Sequence, residues 1–367
     1  MTKERQSNLE LLRIISMILI LMSHCDDLFG LFDLYSTSLG INKIITDWLH
    51  IGGQIGVGCF LLISGYFMVE QNVSVKKILK LAGEVWFYTI TIYLIWIISN
   101  ICQKQINVKD CFIEAVYALF PILFSKYWFV TAYIILLLLS PFFNKLIYSL
   151  EIYAYQRFLG ILLVVFVVLM GGIPIPGVLQ YMTEGRLMPV FIMYFIAGYL
   201  RRFVNIKTGH SWRHFGVAFV LYFLLFVTFY CFTYLGILFD SEMIMNRRYF
   251  YRELNSPFVV LICIELFIGF LKLKIQYSSV INEIAGCTFA VYLLHSNRIM
   301  EEWLKTLFPI YKEKNSLLIL GYSIIAVVLI YIMSTLIDWI RKKTIEPLWI
   351  NFVNSQYAIV EKRVKKQ

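Results

Sequence analysis

The sequence predicts an all-α integral membrane protein, a polytopic bundle of about ten transmembrane helices with both termini in the cytoplasm. Hydrophobic residues make up 60% of the 367 residues, and charged residues only 15%. A soluble domain is normally about 45–50% apolar and about 25% charged. One globular core of this length cannot bury the excess, so much of it must face lipid. Aromatic residues reach 17%, as expected for helices with Trp and Tyr belts at their ends.

Ten stretches are long and apolar enough to cross a membrane, which takes roughly 20 mostly apolar residues. They lie near 9–29, 51–70, 81–101, 128–148, 157–174, 187–204, 214–238, 256–272, 283–300 and 316–339. The first stretch is expected to be a span and not a cleaved signal, because no small-residue cleavage site follows it. We expect one membrane domain over residues 1–345, followed by a short basic cytoplasmic tail, 346–367.

The distribution of Lys and Arg between the predicted loops indicates the orientation, since cytoplasmic loops carry an excess of these residues. With the N-terminus inside, 20 of the 33 Lys and Arg residues fall in cytoplasmic segments and 12 in outer loops, with Arg13 left out because it lies within the first span. This bias predicts that both termini are cytoplasmic. It also explains the net charge of +10 by topology, so nucleic-acid binding is not predicted.

The cysteines and histidines do not predict a metal site. The seven cysteines are scattered and form no CxxC pair, so neither a disulfide framework nor a zinc site is indicated. His210 and His214 have the i, i+4 spacing of metal ligands, but no acidic or thiol third ligand lies near them. A solvated basic loop is the better interpretation of this pair.

Ionisable residues inside predicted spans are costly in a bilayer, and each is a functional candidate. Arg13 and His24 lie eleven positions apart in the first span. At 100° per residue this separation is about 20° past whole turns, so the side chains share one face, about 16 Å apart along the axis. An arginine there can hold a phosphate, and a histidine can take a proton from a hydroxyl. The alternative is that Arg13 snorkels to lipid headgroups and His24 makes a structural polar contact.

Acidic residues near these candidates offer two possible partners. Asp26 and Asp27 follow His24, but adjacent helical residues point about 100° apart, so both cannot face it. A pair of helix-end acids in water is the alternative. Glu265 lies in the middle of the eighth predicted span, where a carboxylate needs a partner or a proton. We therefore treat Asp27 and Glu265 as possible acid partners.

Four segments, in this order and spacing, resemble one known family. They are Leu9-Glu10-Leu11-Leu12-Arg13, followed after ten further residues by His24; Phe60-Leu61-Leu62-Ile63-Ser64-Gly65-Tyr66-Phe67; Tyr127-Trp128-Phe129-Val130-Thr131-Ala132-Tyr133 running to Leu139-Ser140-Pro141-Phe142; and Gly286-Cys287-Thr288-Phe289-Ala290-Val291-Tyr292-Leu293-Leu294-His295. Together they resemble the acyltransferase-3 family of bacterial membrane acyltransferases, which O-acylate envelope and secreted glycans. The ten predicted spans agree, so the resemblance covers nearly the whole chain.

The resemblance implies an acyl-CoA donor, usually acetyl-CoA, on the cytoplasmic side and an acceptor hydroxyl near the outer side. His24 matches the family's essential histidine, and Arg13 its motif partner. Some relatives carry a further basic motif after the second span, where this chain reads Met68-Val69-Glu70-Gln71. Larger relatives carry an extracytoplasmic domain that completes the transfer. We expect this chain to finish the reaction alone or to pass the acyl group to a separate protein.

From this resemblance we expect a mechanism in which Arg13, Arg201 and Arg202 hold the phosphates of coenzyme A. His24 then either deprotonates the acceptor hydroxyl or carries the acyl group transiently, and the sequence leaves both open. Tyr127 and Trp128 can stack on a sugar, although aromatic belts use the same residues. His295 and Asn297, at the end of the ninth span, can bind a polar acceptor or form an exposed helix end. No metal is needed, because a thioester is already activated.

The expected location is the plasma or inner membrane, and the expected partners are acyl-CoA, membrane lipid and a polysaccharide or lipid-linked glycan acceptor. A transporter or flippase of lipid-linked glycans is the alternative, since buried Arg, His and Glu also mark proton relays. The two halves of the chain show no inverted-repeat signal. A transporter would move its substrate without consuming acyl-CoA.

Overall fold

The computed structural model describes residues 5–71, 74–124, 126–172, 187–205, 209–312 and 315–364, which form helices and no strand. The helices of the N-terminal half are α1 Ser7–Leu28, α2 Leu31–Leu34, α3 Ile41–His50, α4 Gly53–Met68, α5 Val75–Cys102, α6 Val108–Leu119, α7 Trp128–Ser149 and α8 Ile152–Gly172, whose stretch Leu163–Leu169 is π-helical. Those of the C-terminal half are α9 Leu187–Phe203, α10 Ser211–Leu238, α11 Glu242–Asn246, α12 Arg248–Tyr251, α13 Pro257–Lys272, α14 Ser279–Gly286, α15 Thr288–His295, α16 Arg298–Leu307, α17 Ser316–Thr344 and α18 Glu346–Val364.

Seven helical segments in the described chain are long and apolar enough to cross a membrane. They are Ser7–Leu28, Ile41–Met68, Val75–Cys102, Trp128–Ser149, Ile152–Gly172, Ser211–Leu238 and Ser316–Thr344. The prediction of an all-α membrane protein is therefore confirmed. The three other predicted spans fall on α9, with 17 residues, on α13, with 16, and on the shorter apolar segment Ser279–His295. The count of ten and the orientation of the termini stay predictions.

The second membrane segment begins ten residues before the predicted boundary at 51, because α3 precedes α4. Two charged residues lower the hydropathy of α3, but they neutralise each other. The Lys43 Nζ atom lies 2.6 Å from the Asp47 Oδ1 atom, one turn along the helix, and both side chains are fully buried. A hydropathy window counts each charge separately, so it does not extend the span into α3.

The described chain divides into two compact units. The first comprises Met1–Gln71, Leu139–Gly286 and Leu307–Val328, and the second Asn72–Leu138, Cys287–Thr306 and Leu329–Gln367. In the first unit, α4 packs against α1, α9 and α13, and α10 packs against α13. Small residues of α4 allow this packing, because a Cβ atom at Gly56 would lie 2.3 Å from the Ser16 carbonyl oxygen. Gly56 belongs to a glycine-rich run, Gly52-Gly53-Gln54-Ile55-Gly56-Val57-Gly58, which serves close helix packing, as membrane helices commonly require.

In the second unit, a network of ion pairs joins α5, α17 and α18. Arg341 lies 2.7 Å from Asp338 and 3.2 Å from both Glu84 and Glu346. The Tyr88 hydroxyl donates to Asp338 over 2.8 Å. The segment predicted as a short tail is helical through Val364, as α18. The Arg341–Glu346 pair ties the first turn of α18 to α17.

Candidate active site

The first helix positions both residues of the basic-histidine motif. Because α1 is one uninterrupted helix from Ser7 to Leu28, the spacing argument that puts Arg13 and His24 on one face holds. The Arg13 Nε atom lies 3.3 Å from Glu10 Oε2, and the guanidinium lies 5.7 Å from the centre of the Phe60 ring. Glu10 was not predicted as a site residue. It fixes Arg13 and partly neutralises its charge.

At the other end of α1, two acidic residues meet a histidine from α3. The His50 Nδ1 atom lies 3.3 Å from Asp27 Oδ1 and 3.5 Å from Asp26 Oδ2. The Ser23 hydroxyl donates to the His50 carbonyl oxygen over 2.7 Å, which holds the end of α3 against α1. We call Asp26, Asp27 and His50 the His50 cluster. His24 is close enough to interact electrostatically with His50.

The His50 cluster has the donor atoms of a metal site. Within the described residues, one ligand atom from each of its three members lies within 4.8 Å of the others, and imidazole and carboxylate groups both bind Zn²⁺. The sequence predicted His50 in no functional role, because it precedes the glycine-rich run and lies far from Asp26 in the chain. The prediction that the chemistry needs no metal stays a prediction.

Buried cations surround the same region of the first unit. Lys43 Nζ and the Arg248 guanidinium lie 5.9 Å and 5.6 Å from the Phe229 ring centre, and the His50 ring lies 6.4 Å from it. Arg248 is 1% exposed and donates to the Thr233 hydroxyl over 3.0 Å. Coulombic interactions are far stronger in such a low-dielectric setting than in water. The region can therefore orient an imidazole and stabilise charge that develops during a reaction.

The arginines predicted to hold coenzyme A phosphates already have partners in the first unit. Arg201 forms an ion pair with Glu70 and lies 4.7 Å from the centre of the Tyr66 ring. Arg202 donates to the carbonyl oxygens of Ile147 and Leu150 at the end of α7. α9 thus places a cation beside Glu70, at the end of the second membrane segment. The role of both arginines in donor binding stays a prediction.

Glu265, predicted as a possible acid partner, forms a hydrogen bond with a histidine. Its Oε2 atom lies 2.7 Å from His214 Nδ1, and Lys272 Nζ lies 2.8 Å from His214 Nε2. An ammonium group can only donate, so His214 Nε2 accepts and His214 Nδ1–H donates to the carboxylate. His214 thus links α10 to α13 through both ring nitrogens. The sequence around Glu265 did not indicate His214 as a partner, because Glu265 and Lys272 lie 51 and 58 positions after it.

In the second unit, two of the predicted acceptor-binding residues meet. The Tyr127 hydroxyl donates to the Leu293 carbonyl oxygen over 3.0 Å and accepts from the Asn297 side-chain amide over 2.9 Å. Burial raises the pKa of Tyr127. His295 is buried, with Nδ1 2.6 Å from the Val291 carbonyl oxygen. Trp128 begins α7, with its ring centre 5.9 Å from that of Phe129.

Tyr127 and Asn297 line a cavity of about 240 Å³ whose charged residues sequence reasoning missed. These charged residues are Glu114, Lys126, Arg298 and Glu301. Glu114 is the one that the sequence could have indicated. It is a carboxylate among the apolar residues of α6, and such a group needs a partner when it is buried.

Comparison with known proteins supports the resemblance seen in the motifs. A family model described as an acyltransferase domain, that of the acyltransferase-3 family, matches residues 6–335. This range includes Arg13, His24 and all four segments that carry the resemblance. No curated protein and no solved structure gives a significant match to the chain.

Proposed function

Because this chain belongs to the acyltransferase-3 family, we propose that it moves an acyl group, usually acetyl, from cytoplasmic acyl-CoA to a hydroxyl of an envelope or exported polysaccharide. Membership of the family establishes a membrane acyltransferase in general. The observation that supports the finer proposal most is the position of His24. It shares one face of α1 with Arg13 and lies in the same turn as Asp26 and Asp27, the two acidic members of the His50 cluster.

In the proposed reaction, a glycan hydroxyl attacks the carbonyl carbon of the thioester. The new C–O bond forms as the C–S bond breaks, and the hydroxyl proton passes to the His24 imidazole and from there to the departing thiolate. If His24 instead carries the acyl group, its ring nitrogen attacks the thioester carbonyl first, and the C–S bond breaks to release the thiolate. The hydroxyl then attacks the acyl-imidazole, the C–O bond forms as the C–N bond breaks, and the hydroxyl proton passes to the thiolate. Asp27 lies three residues after His24, a spacing at which helical side chains are neighbours. Its charge would stabilise the imidazolium formed in either route.

Donor binding is assigned to the arginines on the side of the membrane where Arg13 lies. Arg13 already contacts the Glu10 carboxylate, and Arg201 already contacts the Glu70 carboxylate. A phosphate of the donor would therefore share each guanidinium with a carboxylate. Arginine suits this exchange, since its planar fork donates to two oxygens at once. The proposed location is the plasma or inner membrane, where one face meets cytoplasmic acyl-CoA and the other meets the glycan.

The decisive experiment compares glycan acetylation in three strains: a deletion strain, and the same strain carrying either the wild-type gene or His24→Ala. Ester-linked acetyl on envelope glycans is measured by proton NMR, and membrane levels of both proteins are matched by immunoblot. We expect acetyl with the wild type, and its loss with His24→Ala and in the deletion. Equal acetyl in all three strains would refute the proposal, and failure of the glycan to reach the surface in the deletion would favour a transporter.

A second experiment separates donor chemistry from transport. The purified full-length protein is incubated with acetyl-CoA and an extract of the cell's glycans, and released thiol is followed with a chromogenic disulfide. We expect thiol release that depends on both the protein and the extract, and that His24→Ala abolishes. The matched control is His210→Ala, an exposed histidine outside α1. Release unaffected by His24→Ala would remove His24 from the chemistry.

A further inference from the structure

The cavity in the second unit combines aromatic faces with hydrogen-bonding groups. Tyr93, Tyr117 and Tyr127 all contribute to its wall, together with the amide of Asn297. Asn297 is held rigidly, because its side chain donates to Tyr127 and accepts from the backbone N–H of Ile299 over 3.0 Å. At about 240 Å³ the cavity is smaller than the ~300–1,000 Å³ typical of drug-sized ligands. It therefore suits a small, compact group with an apolar face and a polar edge.

The four charged residues of the cavity divide into one pair and two single groups. Arg298 and Glu114 form an ion pair, with the Glu114 side chain 7% exposed. The other two, Lys126 and Glu301, make no ion pair with any described residue. The Lys126 Nζ atom lies 3.6 Å from the centre of the Tyr117 ring. One strong hydrogen-bond donor and one strong acceptor thus remain for a ligand.

Burial disfavours the charged forms of Lys126 and Glu301. Loss of hydration lowers the pKa of Lys126 and raises the pKa of Glu301. A ligand that hydrogen-bonds to a partly desolvated charge replaces the missing water, and such charge-assisted bonds are roughly twice as strong as neutral ones. The two charges have opposite sign, so the cavity as a whole favours neither an anion nor a cation.

We propose that this cavity binds one neutral sugar ring of the acceptor glycan. The Lys126 ammonium donates to one ring hydroxyl, the Glu301 carboxylate accepts from another, and a tyrosine ring packs against the C–H face of the sugar. A pyranose offers this combination, because its hydroxyls both donate and accept while its axial C–H groups form an apolar face. The identity of the ligand as the acceptor rests on the proposed function, whereas the site itself rests on the cavity and its residues.

The test measures sugar binding without requiring catalysis. The full-length protein is placed in phosphatidylcholine nanodiscs, which avoids detergents with sugar headgroups. Saturation-transfer NMR is recorded with the methyl glycosides of glucose, galactose, mannose, rhamnose, N-acetylglucosamine and glucuronic acid, and with phosphoethanolamine as a lipid-headgroup probe. We expect at least one neutral glycoside to bind, and Lys126→Met and Glu301→Gln each to weaken it roughly ten-fold, the effect of one hydrogen bond to a charged group.

Matched controls exist for both substitutions. Lys109→Met removes an exposed lysine from α6, and Glu302→Gln removes the neighbour of Glu301, whose side chain is 71% exposed. Neither residue lines the cavity, so both variants should bind the glycoside as the wild type does. Three outcomes would overturn the proposal: no neutral glycoside binds, only glucuronide or phosphoethanolamine binds, or Lys126→Met and Glu301→Gln bind as well as their controls.

Glycan acetylation in cells then separates this proposal from the function. If Lys126→Met and Glu301→Gln retain full acetylation while His24→Ala abolishes it, the acyltransferase stands and the cavity is not the acceptor site. If a neutral glycoside binds but the wild-type strain acetylates no glycan, the sugar site stands and the proposed function fails. Loss of both binding and acetylation in the two cavity variants supports both proposals together.

Discussion

Replacing Lys43 by methionine is expected to destabilise the protein by about 3 kcal/mol. Its ammonium lies 2.6 Å from the Asp47 carboxylate, and neither side chain is exposed. Removing one member of a buried pair typically costs about 3–5 kcal/mol, because the other charge is left buried without its partner. Arg248 also attracts the Asp47 carboxylate, which places the expected cost at the lower end of that range.

The double variant Lys43→Met/Asp47→Leu is expected to recover most of that loss, since replacing a whole buried pair by apolar residues of similar volume is often neutral. Unfolding is measured by SDS titration in mixed micelles, followed by tryptophan fluorescence, for both single variants and the double variant. The expected coupling energy is about 2–3 kcal/mol, at the upper end of the range for residues in direct contact.

An exposed pair of the same chemistry provides the control. Lys305 and Glu302 lie 3.8 Å apart with side chains 44% and 71% exposed, and surface pairs contribute about 0–1 kcal/mol. The corresponding cycle at this pair should show coupling near zero. If the cycle at Lys43 and Asp47 gives equally small coupling energy, the two buried charges do not stabilise each other within α3. Our explanation of why the second membrane segment begins at Ile41 would then be wrong.

Three further substitutions test other parts of the structure. Gly56→Ala should lower the free energy of unfolding by about 1–3 kcal/mol in the same assay, because the new Cβ would press on the Ser16 carbonyl oxygen. The control Gly216→Ala, with open space around it, should be neutral or slightly stabilising. Tyr127→Phe should cost about 1–3 kcal/mol, since it leaves a buried carbonyl and a side-chain amide without their hydroxyl partner. A variant as stable as the wild type would contradict that account. Burial raises the pKa of Glu301, so the stability that protonated Glu301 contributes is present below the ordinary glutamate pKa of 4.5 and is lost as pH rises through the raised value. Glu301→Gln should therefore become more stable relative to the wild type as pH rises from acidic to neutral. A difference in stability that stays constant across this range would count against burial as the cause.

Sequence reasoning was most effective where the physics is local. Membrane spans depend on the mean hydropathy of one contiguous stretch, and the seven long helices coincide with predicted spans for that reason. The relation between Arg13 and His24 also follows from sequence, because both lie on one helix with a fixed rotation per residue. The early start of the second segment was missed, since charges that pair within α3 look unfavourable to a window that averages them one by one.

What the sequence determined by itself is an all-α membrane protein, its family, and a basic residue and a histidine on one face of the first helix. The tertiary structure alone decided which ionisable side chains meet: His50 with Asp26 and Asp27, and Glu265 with His214. The physical reason is that a buried charge requires a partner but does not specify which one. That choice depends on the rotation and depth at which helices distant in the chain pack together.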